Sequence, residues 1–310
     1  MASNEAIGFA DFLATLSSRS SDPRLDLPTV RDIIETIHLA TKEPEGVSYA
    51  EQTVGGVEAL WCIPAGTDDR AVILHNHMGG TVVASMHSDR KAAAHIAKAA
   101  GVPSLVLNYR QSPEHKFPAQ IEDVDNAYRW LLEQGYRPEN IASAGHSIGA
   151  NFALSLALRL RDSGDPLPGA ILSISPWVDM TLANPTIDSN AGADKLLSRP
   201  LLEFFRSLWL DETGVEWNDA RVTLLAADLT GLPPTAIYYG ADEILAGEAT
   251  QLAHRAQAAG NDVLLRAVPA GQHSFIVAAG RVPEVDDAIK EMGSWLRIKL
   301  GLSEIAAARP

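Results

Sequence analysis

With 310 residues, of which 46% are hydrophobic, the chain can bury one large core, and nothing in its length demands a second independent domain. A formal charge of −14 argues against nucleic acid and anionic membranes as partners, since both repel an acidic surface. The single cysteine, Cys62, cannot close an internal disulfide, which suits a reducing cytoplasm, and no secretory leader pattern, membrane-length apolar run, internal repeat or zinc-finger spacing is visible.

Residues 1–45 carry two helical patterns, Ala6 to Leu16 and Thr29 to Ala40. The second sets Val30, Ile33, Ile34 and Ile37 on one face, which implies docking. Val47 to Val54 and Val57 to Ile63 flank Gly55-Gly56, the signature of an antiparallel hairpin, and place Cys62 in a strand as a buried thiol. From Ala71 onward strands alternate with helices. Strands are expected at 71–74, 102–108, from Ile141 to the first glycine of the turn below, at 170–175, 235–239 and 262–268. Helices are expected at 88–100, 119–134, 151–162, 247–259 and 284–300. The pattern predicts an α/β fold with a mostly parallel, eight-stranded sheet covered on both faces, its core formed by residues 46–175 and 221–310.

Residues 176–220 interrupt the alternation without a strand, and Leu201 to Leu210 reads as a helix rich in large apolar groups. An insertion beside the carboxyl ends of the strands is expected to form a lid. Met78, Trp177, Phe204, Phe205 and Leu208 are the expected substrate-facing side chains, with Trp209 beside them. Large side chains at helical spacing are nonetheless more often core than pocket.

The stretch with the most chemistry is Ile141 to Asn151, in which Gly145-His146-Ser147-Ile148-Gly149 joins a strand to a helix. Gly-x-Ser-x-Gly in that context is a nucleophile elbow, with Ser147 exposed on a strained turn. A serine hydroxyl needs a base and a carboxylate to orient it, in chain order Ser, acid, His. Of the nine histidines only His254 and His273 follow the elbow. His254 falls inside a helical pattern, whereas His273 follows the last strand in a glycine-started loop, so His273 is the expected base. Asp242, directly after the strand 235–239, is the expected acid, with Glu243 the rival and Asp228 a distant third. The backbone amides of Ile148, Gly79 and Gly80 are the expected oxyanion donors. His146 is expected to be a packing residue turned away from Ser147. His75 and His77 share a strand face in the manner of metal hydrolases, but His87 and His115, the remaining candidates, lie in no ligand motif, so neither a metal nor any other cofactor is expected.

These residues resemble the hormone-sensitive-lipase-like branch (bacterial family IV) of α/β-hydrolase esterases, from about residue 45 to 300. The match is carried by Tyr109 to Ala119, close to YRLAPEHPFPA, by the elbow followed by Asn151, and by Leu229 to Pro234 leading into Tyr239 to Leu245. The chain departs from the family at Met78, which stands where the His-Gly-Gly-Gly loop has its first glycine, and at His146 and Ile148, which replace Asp and Ala of Gly-Asp-Ser-Ala-Gly. The resemblance implies a carboxylic ester hydrolase with a triad on Ser147, Asp242 and His273, and a cap made of residues 1–45 and 176–220. It also implies a dimer formed through a sheet edge. The chain is similar as well to monoterpene ε-lactone hydrolases, which implies ring opening as an alternative by the same chemistry. A non-catalytic, hydrolase-like binding protein is the reading from another class, disfavoured by the presence of His273.

Overall fold

The computed structural model describes residues 2–302. Helices α1 (Asn4–Ser20) and α2 (Leu27–Glu35) open the chain, capped by the side chains of Ser3 and Asp26. The single helix expected to run to Ala40 stops at Glu35 and tightens into a 3₁₀ turn over Thr36–Ala40. Thr36 Oγ1 lies 2.6 Å from the Ile33 carbonyl and the His38 ring 2.6 Å from that of Glu35, side-chain bonds that compete with the regular helix ladder.

The hairpin of β1 (Val47–Val54) and β2 (Val57–Pro64) follows as expected, with Val54 opposite Val57. The alternation then unfolds as β3 (Val72–Asn76), α3 (Met86–Ala100), β4 (Ser104–Leu107), α4 (Ala119–Glu133), β5 (Ile141–His146), α5 (Ile148–Ser163) and β6 (Ala170–Ile174). After the insertion, which holds α6 (Thr186–Ser189) and α7 (Arg199–Leu210), come β7 (Thr235–Gly240), α8 (Ala246–Ala258), β8 (Val263–Val268) and α9 (Pro283–Lys299). All eight strands lie in one sheet, in the order β1-β2-β4-β3-β5-β6-β7-β8. β1 and β2 and then β2 and β4 pair antiparallel, and the remaining neighbours are parallel.

Every residue of β3, β4, β5 and β6 is buried, as expected for central strands covered on both faces. α3 packs against α9 so closely that a Cβ at Gly293 would lie 2.4 Å from the Ala99 carbonyl carbon. The parallel register brings the loops after β3, β5, β6, β7 and β8 to one edge of the sheet, the edge where such folds build their sites. Among the described residues no helix is long and apolar enough to cross a membrane.

Candidate active site

Ser147 sits between β5 and α5 with φ +57° and ψ −125°, outside the regions that side chains favour. The flanking glycines make this turn possible. A Cβ at Gly145 would lie 2.3 Å from the Gly149 carbonyl oxygen, and one at Gly149 would lie 2.1 Å from that of Asn76. The turn is tied to its neighbours, because Ser147 N–H donates to Ile174 O at 2.9 Å and Trp177 N–H donates to Ser147 O at 3.2 Å.

His273 follows β8 and is buried, and it lines the same cavity as Ser147. His254, by contrast, lies on the exposed face of α8. The carboxylate behind His273 is not the expected Asp242 but its neighbour. Glu243 Oε2 lies 3.5 Å from His273 Nδ1, while Asp242 is partly exposed with no side-chain partner among the described residues. The reason is the turn. Asp242 N–H donates to Gly271 O at 3.1 Å and Glu243 N–H folds back to Gly240 O at 3.2 Å, so the two consecutive side chains leave the turn in different directions. Gly240 and Gly271 permit the approach of the two loops, since a Cβ on Gly240 would lie 2.3 Å from the Gly271 oxygen. Glu243 is fully buried. Burial pushes its carboxyl above the ordinary value, and the His273 imidazole pulls the other way.

Gly79 and Gly80 both have positive φ, +111° and +60°, and among the described residues their amides and that of Ile148 have no protein acceptor. Phe205 of α7 lies directly on this loop: a Cβ at Gly80 would meet the Phe205 ring at 2.2 Å. The loop is held from below. His77 Nδ1 lies 2.6 Å from Met78 O, the Tyr109 hydroxyl donates to His77 O at 3.0 Å, and the His77 and Tyr109 rings stack at 4.0 Å.

A cavity that opens to solvent is bounded by Ser147, His273, Met78, Gly79, Gly80 and Trp177. Its remaining wall is apolar, with Ile34 and Ile37 from the N-terminal segment, Val83, and Leu196, Leu197, Leu201, Leu202 and Phe205 from the insertion. Of the expected substrate-facing groups, Met78, Trp177 and Phe205 are there and Phe204 and Leu208 are not. Phe204 is 46% exposed because successive residues of a helix are turned by about 100°, so only one face of α7 looks into the cavity. Trp209 is core: its Nε1–H donates to Gln120 and its ring packs edge-on to Phe117 and Phe152. The leucines at 196, 197, 201 and 202 were missed. Only the apolarity of Leu201 and Leu202 was visible beforehand.

His146 is not merely packing. Its Nε2 lies 2.8 Å from Asp89 Oδ1 and His75 Nε2 lies 2.6 Å from Asp89 Oδ2, a buried cluster linking β3, β5 and the first turn of α3. These three are a group of described residues whose possible metal-ligand atoms lie within 4.8 Å of one another, and it includes neither His77, His87 nor His115. The carboxylate lies within hydrogen-bond distance of Nε2 of both rings, while Nδ1 of His75 and Nδ1 of His146 are buried with no hydrogen-bond partner among the described residues. The two histidines hold Asp89 well below the usual carboxylate range against the cost of burial.

Burial lowers His146 and takes His77 down to about 4. A base whose folded pKa is depressed contributes stability above its unfolded value, about 6.5, and loses it as pH falls through the folded one. Stability is therefore expected to decline between about pH 6.5 and 4. His77 alone accounts for about 3 kcal/mol of that decline, at roughly 1.4 kcal/mol per unit. Urea midpoints measured across this window check it, and His77→Asn, which cannot titrate, should flatten the decline; an unchanged slope in the variant refutes the assignment.

The comparisons with known proteins agree with this fold. A family model described as alpha/beta hydrolase fold matches residues 73–277. An acetyl-hydrolase of Streptomyces hygroscopicus is 36% identical over 249 residues, covering 80% of this chain and 82% of that protein. The esterase LipU of Mycobacterium tuberculosis is 30% identical over 259 residues, 82% of this chain and 86% of that one. Among solved structures, an esterase from the bacterial hormone-sensitive lipase family superposes with a TM-score of 0.92 at 34% identity, covering 97% of this chain and all of that one. EstE5, soaked with p-nitrophenyl butyrate, superposes at 0.89 with 30% identity, again over 97% of this chain and all of that one. The chain therefore belongs to the α/β-hydrolase family and is an esterase-type hydrolase of its hormone-sensitive-lipase-like branch.

Proposed function

We propose that the protein hydrolyses carboxylic esters with small to medium apolar acyl groups through an acyl-enzyme on Ser147. The observation that carries this reading is the convergence of Ser147 and His273 on one apolar cavity, with buried Glu243 behind the imidazole. Ser147 Oγ attacks the acyl carbon while His273 Nε2 takes its proton. Glu243 holds Nδ1–H toward itself and offsets the charge of the imidazolium. The tetrahedral oxyanion is met by the amides of Gly79, Gly80 and Ile148, which have no competing acceptor among the described residues. His273 then returns the proton to the departing alcohol, and water, deprotonated by the same imidazole, releases the acid.

The cavity wall supports small apolar acyl groups, as do the name of the acetyl-hydrolase relative and the p-nitrophenyl butyrate used with EstE5. None of the relatives compared above is named for ring opening, and nothing in the cavity favours a lactone over an open-chain ester. The test is stoichiometric inactivation by a serine-directed phosphonate during turnover of p-nitrophenyl butyrate. Mass mapping should place the adduct on Ser147; a label elsewhere, or turnover that survives full labelling, rejects the reading.

A further inference from the structure

We propose that residues 186–197 of the insertion form a clasp that positions both His273 and Glu243, so that one segment walls the acyl cavity and sets the geometry of base and acid. The inference rests on the esterase reading above and adds positioning residues to it.

The base loop is held through Gln272, which is buried immediately before His273. Its Oε1 accepts Lys195 N–H at 2.7 Å and its Nε2 donates to Ala193 O at 3.3 Å. The acid turn is held through three side chains. Asn190 Nδ2 donates to the Glu243 carbonyl at 3.0 Å, Thr186 Oγ1 donates to the Ile244 carbonyl at 2.7 Å, and buried Asp194 accepts Ile244 N–H at 2.9 Å through Oδ2. The other Asp194 oxygen takes the amides of Leu196 and Leu197, both at 2.9 Å, which shapes the stretch whose side chains line the cavity. These bonds act on the side chain of His273's neighbour Gln272 and on the backbone of Glu243 and Ile244, and none touches a reacting atom. Two loops from different strands thus share one scaffold, and a displacement of about 1 Å at a catalytic group can cost on the order of a hundredfold in rate.

The experiment compares kcat/KM for p-nitrophenyl butyrate and ethyl butyrate in Gln272→Met, which keeps the side chain's length and removes both bonds. The two substrates share an acyl group, so effects on the acyl cavity cancel in their ratio. Ethoxide cannot leave without a proton from His273, whereas p-nitrophenoxide can. A displaced imidazole is expected to lower kcat/KM about tenfold for the activated ester and about a hundredfold for the ethyl ester. Equal losses for the two esters, or none, overturn the clasp and leave Gln272 a purely structural residue. Should Gln272→Met fail to fold, Asn190→Ala, at a partly exposed position, decides by the same ratio, with the same sign and a smaller size. Phosphonate labelling of Ser147 in the same preparations separates the two ideas. A labelled variant with an unchanged ratio sinks the clasp alone, and absence of the label from the wild-type protein sinks the esterase reading beneath it.

Discussion

Ser147→Ala is expected to abolish ester hydrolysis, lowering kcat for p-nitrophenyl acetate and butyrate by a factor on the order of 10⁵ to 10⁶, the range found when a triad nucleophile is removed. The substitution deletes one oxygen at a buried turn whose backbone bonds to Ile174 and Trp177 do not involve the side chain. Alanine meets the positive φ at no greater steric cost than serine, so the fold and its melting temperature should persist. Activity is thus removed without a change in stability, which separates a chemical role from a structural one. A folded variant retaining a tenth of the wild-type rate would end the acyl-enzyme mechanism.

Glu243→Gln is expected to lower kcat by about 10³ to 10⁴, whereas Asp242→Asn should leave it within about twofold. The contrast follows from the turn after β7, which brings the Glu243 carboxylate to 3.5 Å from His273 Nδ1 and leaves Asp242 partly exposed without a side-chain partner among the described residues. Glutamine keeps the size of the side chain but removes the charge that orients the imidazole and stabilises its cation. The stability change should run in the opposite sense. Burial raises the Glu243 pKa, so its contribution to stability is fully present below the unfolded value and is lost as pH rises through the folded one. Glutamine escapes that loss, so the variant should melt at or above the wild-type temperature at pH 8 while being nearly inactive. Were Asp242→Asn the crippled variant instead, the acid assignment made from the structure would be reversed.

Those two predictions sit where reading the sequence and seeing the fold part company. The hairpin at Gly55-Gly56, the alternation of strand and helix after Ala71, and the elbow at Ser147 are all local patterns, and each lies where expected. The choice of His273 over His254 needed only chain order and the recognition that residues 251–256 form a helix. The choice between Asp242 and Glu243 needed the rotation of a tight turn, which depends on the approach of Gly240 to Gly271 across 31 positions of chain (271 minus 240). No pattern along the chain encodes that approach.

The cavity shows the same division. Ile34 and Ile37 are recognisable as an apolar face seeking a surface, but the cavity they line is shared with the loop of Gly79 and Gly80 and with the insertion's leucines. His146 and His75 read separately as a packing residue and half of a metal pair, because they lie on two different strands and Asp89, the group that joins them, is on α3.

By itself the sequence determined the fold class, the order of the strands along the chain, and the candidates for nucleophile and base. Those properties reside in short-range periodicity, in glycine spacing and in which residue types can do acyl-transfer chemistry. Only the tertiary structure decided which carboxylate faces the imidazole, which face of α7 looks into the cavity, and how the insertion hydrogen-bonds to the loops after β7 and β8. Each of these depends on the direction of a side chain relative to a distant segment, and that direction is set by packing and by loop-to-loop hydrogen bonds rather than by neighbours in the chain.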